Sequence, residues 1–463
     1  MFKMLNMVVI GAFIVVSGCA AFNGVTHGES ARHAFLAATE QRTEEVLAED
    51  ESLDLDRCIA IALEHNLDIE AADLNARLAT LNKRLAFSHF LPELTFQYTS
   101  TELNKAPAST MIAGVSTTVQ DRIVRETALQ AQMPIFAPAT WFLYAAHQRG
   151  EEIGALVADY TRQMIALQVT GLYFQSLATR ELRRTLEAQR DAASALVSEV
   201  EAYHREGMVT DADLAQVRLL LLVRENELSA NARAEERNLA DLLTAMGLSA
   251  TARPTLDVST PLQVPEGTLD DWIMKGLLEN PRLQIADRQL AIEHEKLRIA
   301  VTEFLPILAG FAGRSHTSNS FMAYPYVSAF GFTGLMTVFN GFANINEYKA
   351  ARVREEQAFL SREQASLAVM LEVVRAQSSL EDAQSMVTLA DAAFEAEKLM
   401  LKEQRLKMRE GLLRPSEMLD RVAKHDAAEV NAAGARYQEQ VMIAIARNVL
   451  GITHISSKDV EDE

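Results

Sequence analysis

Few residues in this 463-residue sequence have a type and spacing that do covalent chemistry, and the first of them is Cys19. It closes Val16-Ser17-Gly18-Cys19 after an apolar run from Met7 to Val16, with Lys3 ahead of the run. The run is shorter than the ~20 apolar residues of a membrane-spanning helix and has signal-peptide proportions. Small residues before a cysteine at this depth match a bacterial lipobox. Residues 1–18 are therefore expected to be removed and the Cys19 thiol acylated. An ordinary signal peptide with a coincidental cysteine is the plain alternative. Ala20 follows, not the aspartate that in enteric bacteria tends to hold lipoproteins at the inner membrane, so export to an outer membrane is open.

Lipidation of Cys19 leaves Cys58 as the only other cysteine, so no disulfide within the chain is possible. Cys58 sits in LDLDRCIAIAL, on an apolar helical face, and reads as a small buried hydrophobe. The ten histidines show no HExxH or paired metal spacing. There is no GxSxG or phosphate-binding loop. An enzyme is not expected, and no cofactor or metal is. A net charge of −19 without a basic stripe excludes nucleic acid as a partner, because phosphate contacts need clustered Lys and Arg.

The elements that carry these residues come in two copies. LDRCIAIALEHN at 55–66 returns as LDDWIMKGLLEN at 269–280, with Leu55/Leu269, Ile59/Ile273, Leu63/Leu277 and Asn66/Asn280 in register. Phe90-Leu91-Pro92 and Phe304-Leu305-Pro306 keep the same shift of 214. Arg205-Glu206-Gly207 matches Arg409-Glu410-Gly411, and Met246-Gly247-Leu248 matches Leu450-Gly451-Ile452. The order of markers divides the chain into a leader (1–18), an anchor segment (19–52), a first copy (53–248), a linker (249–267), a second copy (268–452) and an acidic tail (453–463).

None of the eleven prolines lies in 139–253 or 326–414. Proline costs about 3 kcal/mol inside a helix, so these gaps admit helices of some 70 residues, roughly 100 Å long at 1.5 Å per residue. Asp54 and Thr268 stand at equivalent N-cap positions. Between each Phe-Leu-Pro marker and each long helix the period changes from 3.6 to 2. Strands are expected at about 93–102 and 126–136, and again at about 307–317 and 326–339. Leu94, Phe96 and Tyr98 oppose Thr95, Gln97 and Thr99, while Leu129, Ala131 and Met133 oppose Gln130 and Gln132. In the second copy Ile307, Ala309 and Phe311 form the apolar side, facing away from Arg314 and His316. About ten residues with one apolar face suit a strand crossing a bilayer in a water-filled barrel; ordinary surface hairpins are the alternative. Trp141, Phe142 and Tyr144 serve either an interfacial belt or helix packing. Four strands cannot close a barrel, and open edges in lipid leave backbone groups unpaired, so the chain is expected to oligomerise with rotational symmetry.

The LDRCIAIALEHN opening, an LxxAIxxALxxN pattern save for Cys58, together with the Phe-Leu-Pro marker and the doubled glycine turn, resembles the TolC family of outer-membrane channels, and the lipobox resembles its lipidated branch. The likeness spans residues 53–452. It implies a mainly α chain with a membrane β-barrel: a homotrimer whose twelve-stranded β-barrel continues into a twelve-helix α-barrel. It further implies an outer-membrane, lipid-anchored location with a periplasmic helical extension, and a periplasmic adaptor and an inner-membrane pump as partners. Gly207 and Gly411 then mark the hairpin tips where the adaptor docks. Glu417 and Asp420, six and nine positions after the second tip glycine, match the acidic residues that constrict the closed mouth in TolC. Acids favoured by a helix N-terminus are the alternative reading. Two departures stand out: Arg414-Pro415 replaces the Ser or Thr expected after the second glycine, and Leu67 follows Asn66 where Pro281 follows Asn280. The leading expectation is a passive duct of a tripartite efflux system exporting small molecules. The alternatives are the outlet of a type I protein-secretion system and a lipid-anchored periplasmic coiled-coil scaffold without a pore.

Overall fold

The computed structural model describes residues 28–48, 52–110, 116–257, 261–410 and 415–452. Helix α1 (Gly28–Leu47) precedes the duplicated region, and its Thr43 hydroxyl accepts from the Ser249 amide at 2.8 Å. The first copy runs β1 (Ser52–Leu53), α2 (Leu55–His65), α3 (Leu67–Ser88), β2 (Glu93–Glu102), β3 (Ala108–Thr110), β4 (Ser116–Thr118), β5 (Ile123–Phe136), α4 (Pro138–Arg205) and α5 (Asp211–Ala245). The linker contributes β6 (Thr255–Leu256). The second copy follows with α6 (Leu269–Glu279), α7 (Pro281–Thr302), β7 (Ile307–Thr317), β8 (Tyr326–Leu335), α8 (Ala343–Arg409) and α9 (Pro415–Val449).

The duplication holds helix by helix. α2 and α6 have 11 residues each, α3 and α7 have 22, α4 and α8 have 68 and 67, and α5 and α9 have 35. Asp54 caps α2 by accepting from the Arg57 amide at 2.8 Å. Thr268 caps α6 in a reciprocal box with Asp271. The stretch before each strand pair is two helices. The break falls at Asn66 (φ −71°, ψ 127°) and Asn280 (φ −65°, ψ 121°), both extended.

The described chain forms two compact units, and each draws on both copies. The first comprises 28–67, 165–264 and 379–445; the second comprises 68–164, 265–378 and 446–452. In the first unit Leu53, Leu55, Cys58, Leu242, Leu243 and Met246 are buried together with Tyr173 and Leu177 on α4. Parallel pairing of β1 with β6 joins the start of the first copy to the linker. Tyr173 donates its hydroxyl proton to the Asp257 carbonyl, and Arg180 donates to that of Leu256. Cys58 is free and fully buried, and burial, with Asp54 nearby, pushes its thiol up to about 12. That makes it inert as a nucleophile at neutral pH.

In the second unit small residues let helices meet closely. A Cβ on Gly154 would lie 3.1 Å from Ala76 and Ala79, and one on Gly276 would lie 2.9 Å from Val373. Ion pairs tie α3 to α4 through Lys83–Glu151 and through Arg162–Asp73 at 2.6 Å. Asp287 on α7 pairs with Arg362 on α8 at 2.9 Å. No helix among the described residues is long and apolar enough to cross a membrane.

Candidate functional site

The second unit carries one antiparallel sheet in the order β2-β5-β7-β8. Pairing of β5 with β7 welds the two copies into a single sheet. The second strand begins at Ile123, three residues before the expected start, because Val124 and Ile123 continue the ladder with Thr101 and Glu102. The fourth strand ends at Leu335, four residues before the expected end at Phe339. Gly341 and Phe342 follow with φ of +67° and +66°, a left-handed turn that leads into α8. At the two flanks of the sheet, β2 and β8 each have one strand neighbour.

The register fixes which residues share a face. Opposite residues point the same way, so Phe96, Leu129, Arg314 and Ser328 form one row, and Tyr98, Thr127, His316 and Tyr326 form the next. Toward the helices that face continues with Leu94, Ala131, Ala312 and Phe330, then with Met133, Gly310 and Phe332. The other face carries Thr95, Gln97, Thr99, Gln130, Gln132, Gly313 and Ser315. This corrects the expectation for β7: Ile307, Ala309 and Phe311 lie on the polar-bearing face. Leu308, Gly310 and Ala312 join the apolar one, with Arg314 and His316 beyond them. Alternation within one strand cannot say which face of its neighbour it joins; the register of β5 with β7, which sets Leu129 opposite Arg314, fixes the phase here. Phe311 is accommodated by Gly331 opposite it, where a Cβ would lie 3.1 Å from the ring.

The apolar face is bare. Phe330 is 89% exposed, Phe332 75%, Leu94 68% and Phe96 64%. A continuous run of exposed aromatics and leucines marks contact with lipid or protein. At the helix-joined end, aromatic residues pack on one another. Trp141 meets Phe136 at 5.9 Å, Tyr144 meets Phe87 and Phe90 at 5.9 and 6.1 Å, and Arg298 stacks over Phe142 at 5.7 Å. Phe142 and Tyr144 are thus occupied in packing with helix residues, while Trp141 stays 50% exposed beside the sheet.

The turn between α4 and α5 lies in the first unit. Gly207 has φ +73°, its amide donates to the His204 carbonyl at 3.0 Å, and the Met208 amide donates to that of Tyr203 at 2.9 Å. This pair of bonds ends a helix with a left-handed residue. Thr210 then caps α5 in a reciprocal box with Asp213, and those bonds, first from the Thr210 hydroxyl and then from its amide, hold the Asp213 carboxyl below the usual carboxylate range. His204 Nε2 lies 2.7 Å from the Asp211 carboxylate. Gly411 and Arg414 lie outside the described residues, as does Cys19. Helix α9 starts at Pro415, in the first-turn position where a missing N–H costs nothing. Glu417 and Asp420 are both exposed near its start, and Asp420 pairs with Lys424 at 2.7 Å. Asp420 lines the same groove as Tyr203, Val209 and Asp213, which flank Gly207 in the chain.

Among the described residues, the one cluster with metal-ligand spacing is His425, Asp426 and Glu429 on α9, whose ligand atoms lie within 4.8 Å of one another. His425 already engages Asp426 at 3.1 Å and stacks on Phe394 at 5.4 Å. Sequence reasoning missed the pairing role of Asn66 and Asn280, which it read only as repeat markers. It also missed that Arg125 joins Arg314 on the apolar face.

Comparison with known proteins returns outer-membrane proteins. No family profile matches the chain. It is 25% identical over 270 residues to the pyoverdine export outer-membrane protein OpmQ of Pseudomonas putida, across 56% of this chain and 55% of that protein, so the match spans about half the relative's length. Among solved structures it resembles the CmeC outer-membrane channel of Campylobacter jejuni (TM-score 0.77, 16% identity, 86% of this chain and 85% of that one). It also resembles VceC of Vibrio cholerae (TM-score 0.72, 14%, 86% and 96%) and the open MtrE channel of Neisseria gonorrhoeae (0.70, 16%, 86% and 89%).

Proposed function

We propose that this chain, which has the fold of the TolC-type outer-membrane channels, is the passive outer-membrane duct of a tripartite efflux system. One observation carries the reading: a four-stranded sheet combines a bare apolar face with two flanking strands that each have one neighbour. Lipid covers such a face at no cost, whereas open edges in lipid leave N–H and C=O groups unpaired. Rotational symmetry removes the edges by pairing β2 of one protomer with β8 of the next. Three copies give twelve strands, enough for a water-filled lumen. The four long helices α4, α5, α8 and α9 then become twelve in the periplasmic tube.

The more polar face, with Thr95, Gln97, Gln130 and Gln132, lines the lumen. The turn at Gly207 and its sequence counterpart Gly411 are the sites offered to a periplasmic adaptor, and an inner-membrane pump supplies the energy. Glu417 and Asp420 lie near the second turn and contribute carboxylates to the mouth. Cys19 carries the lipid anchor, and intact-mass comparison of wild type with Cys19→Ser reads the acyl groups directly. The relative named for pyoverdine export favours a small-molecule cargo over a secreted protein. A pore-free scaffold would leave Phe330 and Phe332 in water, which disfavours that alternative. Planar-bilayer recording on the purified full chain tests the reading. Discrete conductance steps are expected, and a protein that binds bilayers without conducting would refute it.

A further inference from the structure

The apolar face of the sheet is not apolar along its whole length. At the hairpin end, away from the helices, it carries Arg125, Arg314 and His316. Arg314 stands in the row of Phe96 and Leu129, His316 in the next row outward with Tyr98 and Tyr326, and Arg125 in the row beyond, opposite Ser100. Rows on one face are about 7 Å apart, two residues of rise. The three side chains therefore climb the outermost band of the face in successive steps.

The band is cationic although the chain as a whole carries −19. Among the described residues neither Arg125 nor Arg314 has a carboxylate partner. The acid on the same face, Glu102, is taken by Arg122 at 2.8 Å. Arg314 lies over the Tyr326 ring at 5.5 Å, and the His316 ring is 4.5 Å from the same tyrosine. Tyr98 and Tyr326 are 57% and 61% exposed. The backbone under Arg125 is fixed to Ser318 by two bonds, at 2.8 and 2.9 Å. Two guanidiniums without anions, flanked by tyrosines, with Phe96 and Leu129 in the row of Arg314 and with Phe330 and Phe332 in the rows below it, match a lipid with acyl chains below and phosphates above. Guanidinium recognises phosphate through paired N–H donors and gains most where water is thin.

We infer that Arg125, Arg314 and His316 bind the phosphate groups of the glycolipid in the outer leaflet of the membrane. This rests on the proposed channel reading, in which the helices lie in the periplasm and the hairpin end of the sheet faces outward. The acyl chains of the same lipid cover Phe96, Leu129 and Phe330, and its phosphates neutralise the arginines.

The test is native mass spectrometry of the detergent-purified full chain with three added lipids: lipid A carrying both phosphates, dephosphorylated lipid A, and phosphatidylglycerol. Wild type is expected to retain bis-phosphorylated lipid A at least tenfold better than either of the others. Arg125→Gln with Arg314→Gln should lose that preference, and Arg125→Lys with Arg314→Lys should keep most of it. Retention by the glutamine variant equal to wild type overturns the inference, as does equal retention of dephosphorylated lipid A. Equal retention of phosphatidylglycerol overturns the assignment to the outer-leaflet glycolipid. The same preparations are recorded in planar bilayers. Conducting protein without lipid A preference sinks this inference alone, whereas protein that never conducts sinks the channel reading and this inference with it.

Discussion

The side-chain amide of Asn66 donates to the main-chain carbonyl of Ala245 at 2.8 Å. Asn280 makes the matching bond to Val449 at 3.3 Å. Ala245 and Val449 end α5 and α9, so each asparagine, itself at a helix break, satisfies a carbonyl that the departing helix leaves without a partner. The start of each copy is thereby tied to its own end. Both asparagines are buried, at 7% and 5% exposure.

Removing this bond leaves a buried carbonyl unpaired. Asn66→Ala is expected to cost about 1–3 kcal/mol, and Asn66→Asp more, since a carboxylate would face the carbonyl. Asn280→Ala should also destabilise, because Asn280 caps α7 by accepting from the Arg282 amide. Thermal denaturation of the purified variants reads the loss, and wild-type melting of Asn66→Asp would count against the role.

Two glycines with the same backbone angle should respond differently. Gly207 and Gly247 both have φ +73°. A Cβ at Gly207 meets open space, whereas one at Gly247 would lie 2.2 Å from the His65 carbonyl oxygen. Gly207→Ala should cost only the left-handed strain, about 1–2 kcal/mol, and Gly247→Ala distinctly more. Equal losses in a denaturation series would remove the close approach as the reason for Gly247.

The first helical turn should loosen in acid. The Asp213 carboxyl is held below its usual range by the Thr210 hydroxyl and amide. A depressed folded value gives stability that is present above the unfolded value and is lost as pH falls through the folded one. Hydrogen exchange over 208–216, corrected for intrinsic rates, should lose protection as pH drops below the ordinary aspartate range. Thr210→Val should show weak protection with little pH dependence in that window. A wild-type segment that keeps its protection through the window contradicts the linkage.

Much of this architecture was legible from the chain. The proline-free gaps bracket α4 and α8, and the alternation of Leu94, Phe96 and Tyr98 announced β2. The break at Asn280 is signalled by Pro281, but the one at Asn66 is followed by Leu67, a good helix former, and only tertiary pairing with Ala245 shows why the helix stops. The facing of β7 was misread for a related reason. Period-two patterning is local, while the side that Arg314 joins depends on register with Leu129 across the sheet. The hairpin of β3 with β4 carried too short a pattern to be seen. Glu417 and Asp420 were singled out by family likeness alone.

At the proposed mouth, the double variant Glu417→Gln, Asp420→Asn is expected to lower cation selectivity, because rings of carboxylate attract cations at a constriction. Single-channel reversal potentials in a salt gradient measure this. If the double variant keeps both conductance and selectivity, neither residue belongs to the gate.

In the proposed channel, three chains close one barrel through β2 and β8. Native mass spectrometry of the full chain, extracted from membranes in mild detergent, reads the stoichiometry. A complex of three copies that persists on dilution is expected. A stable monomer under conditions that preserve helix content would rule the barrel out.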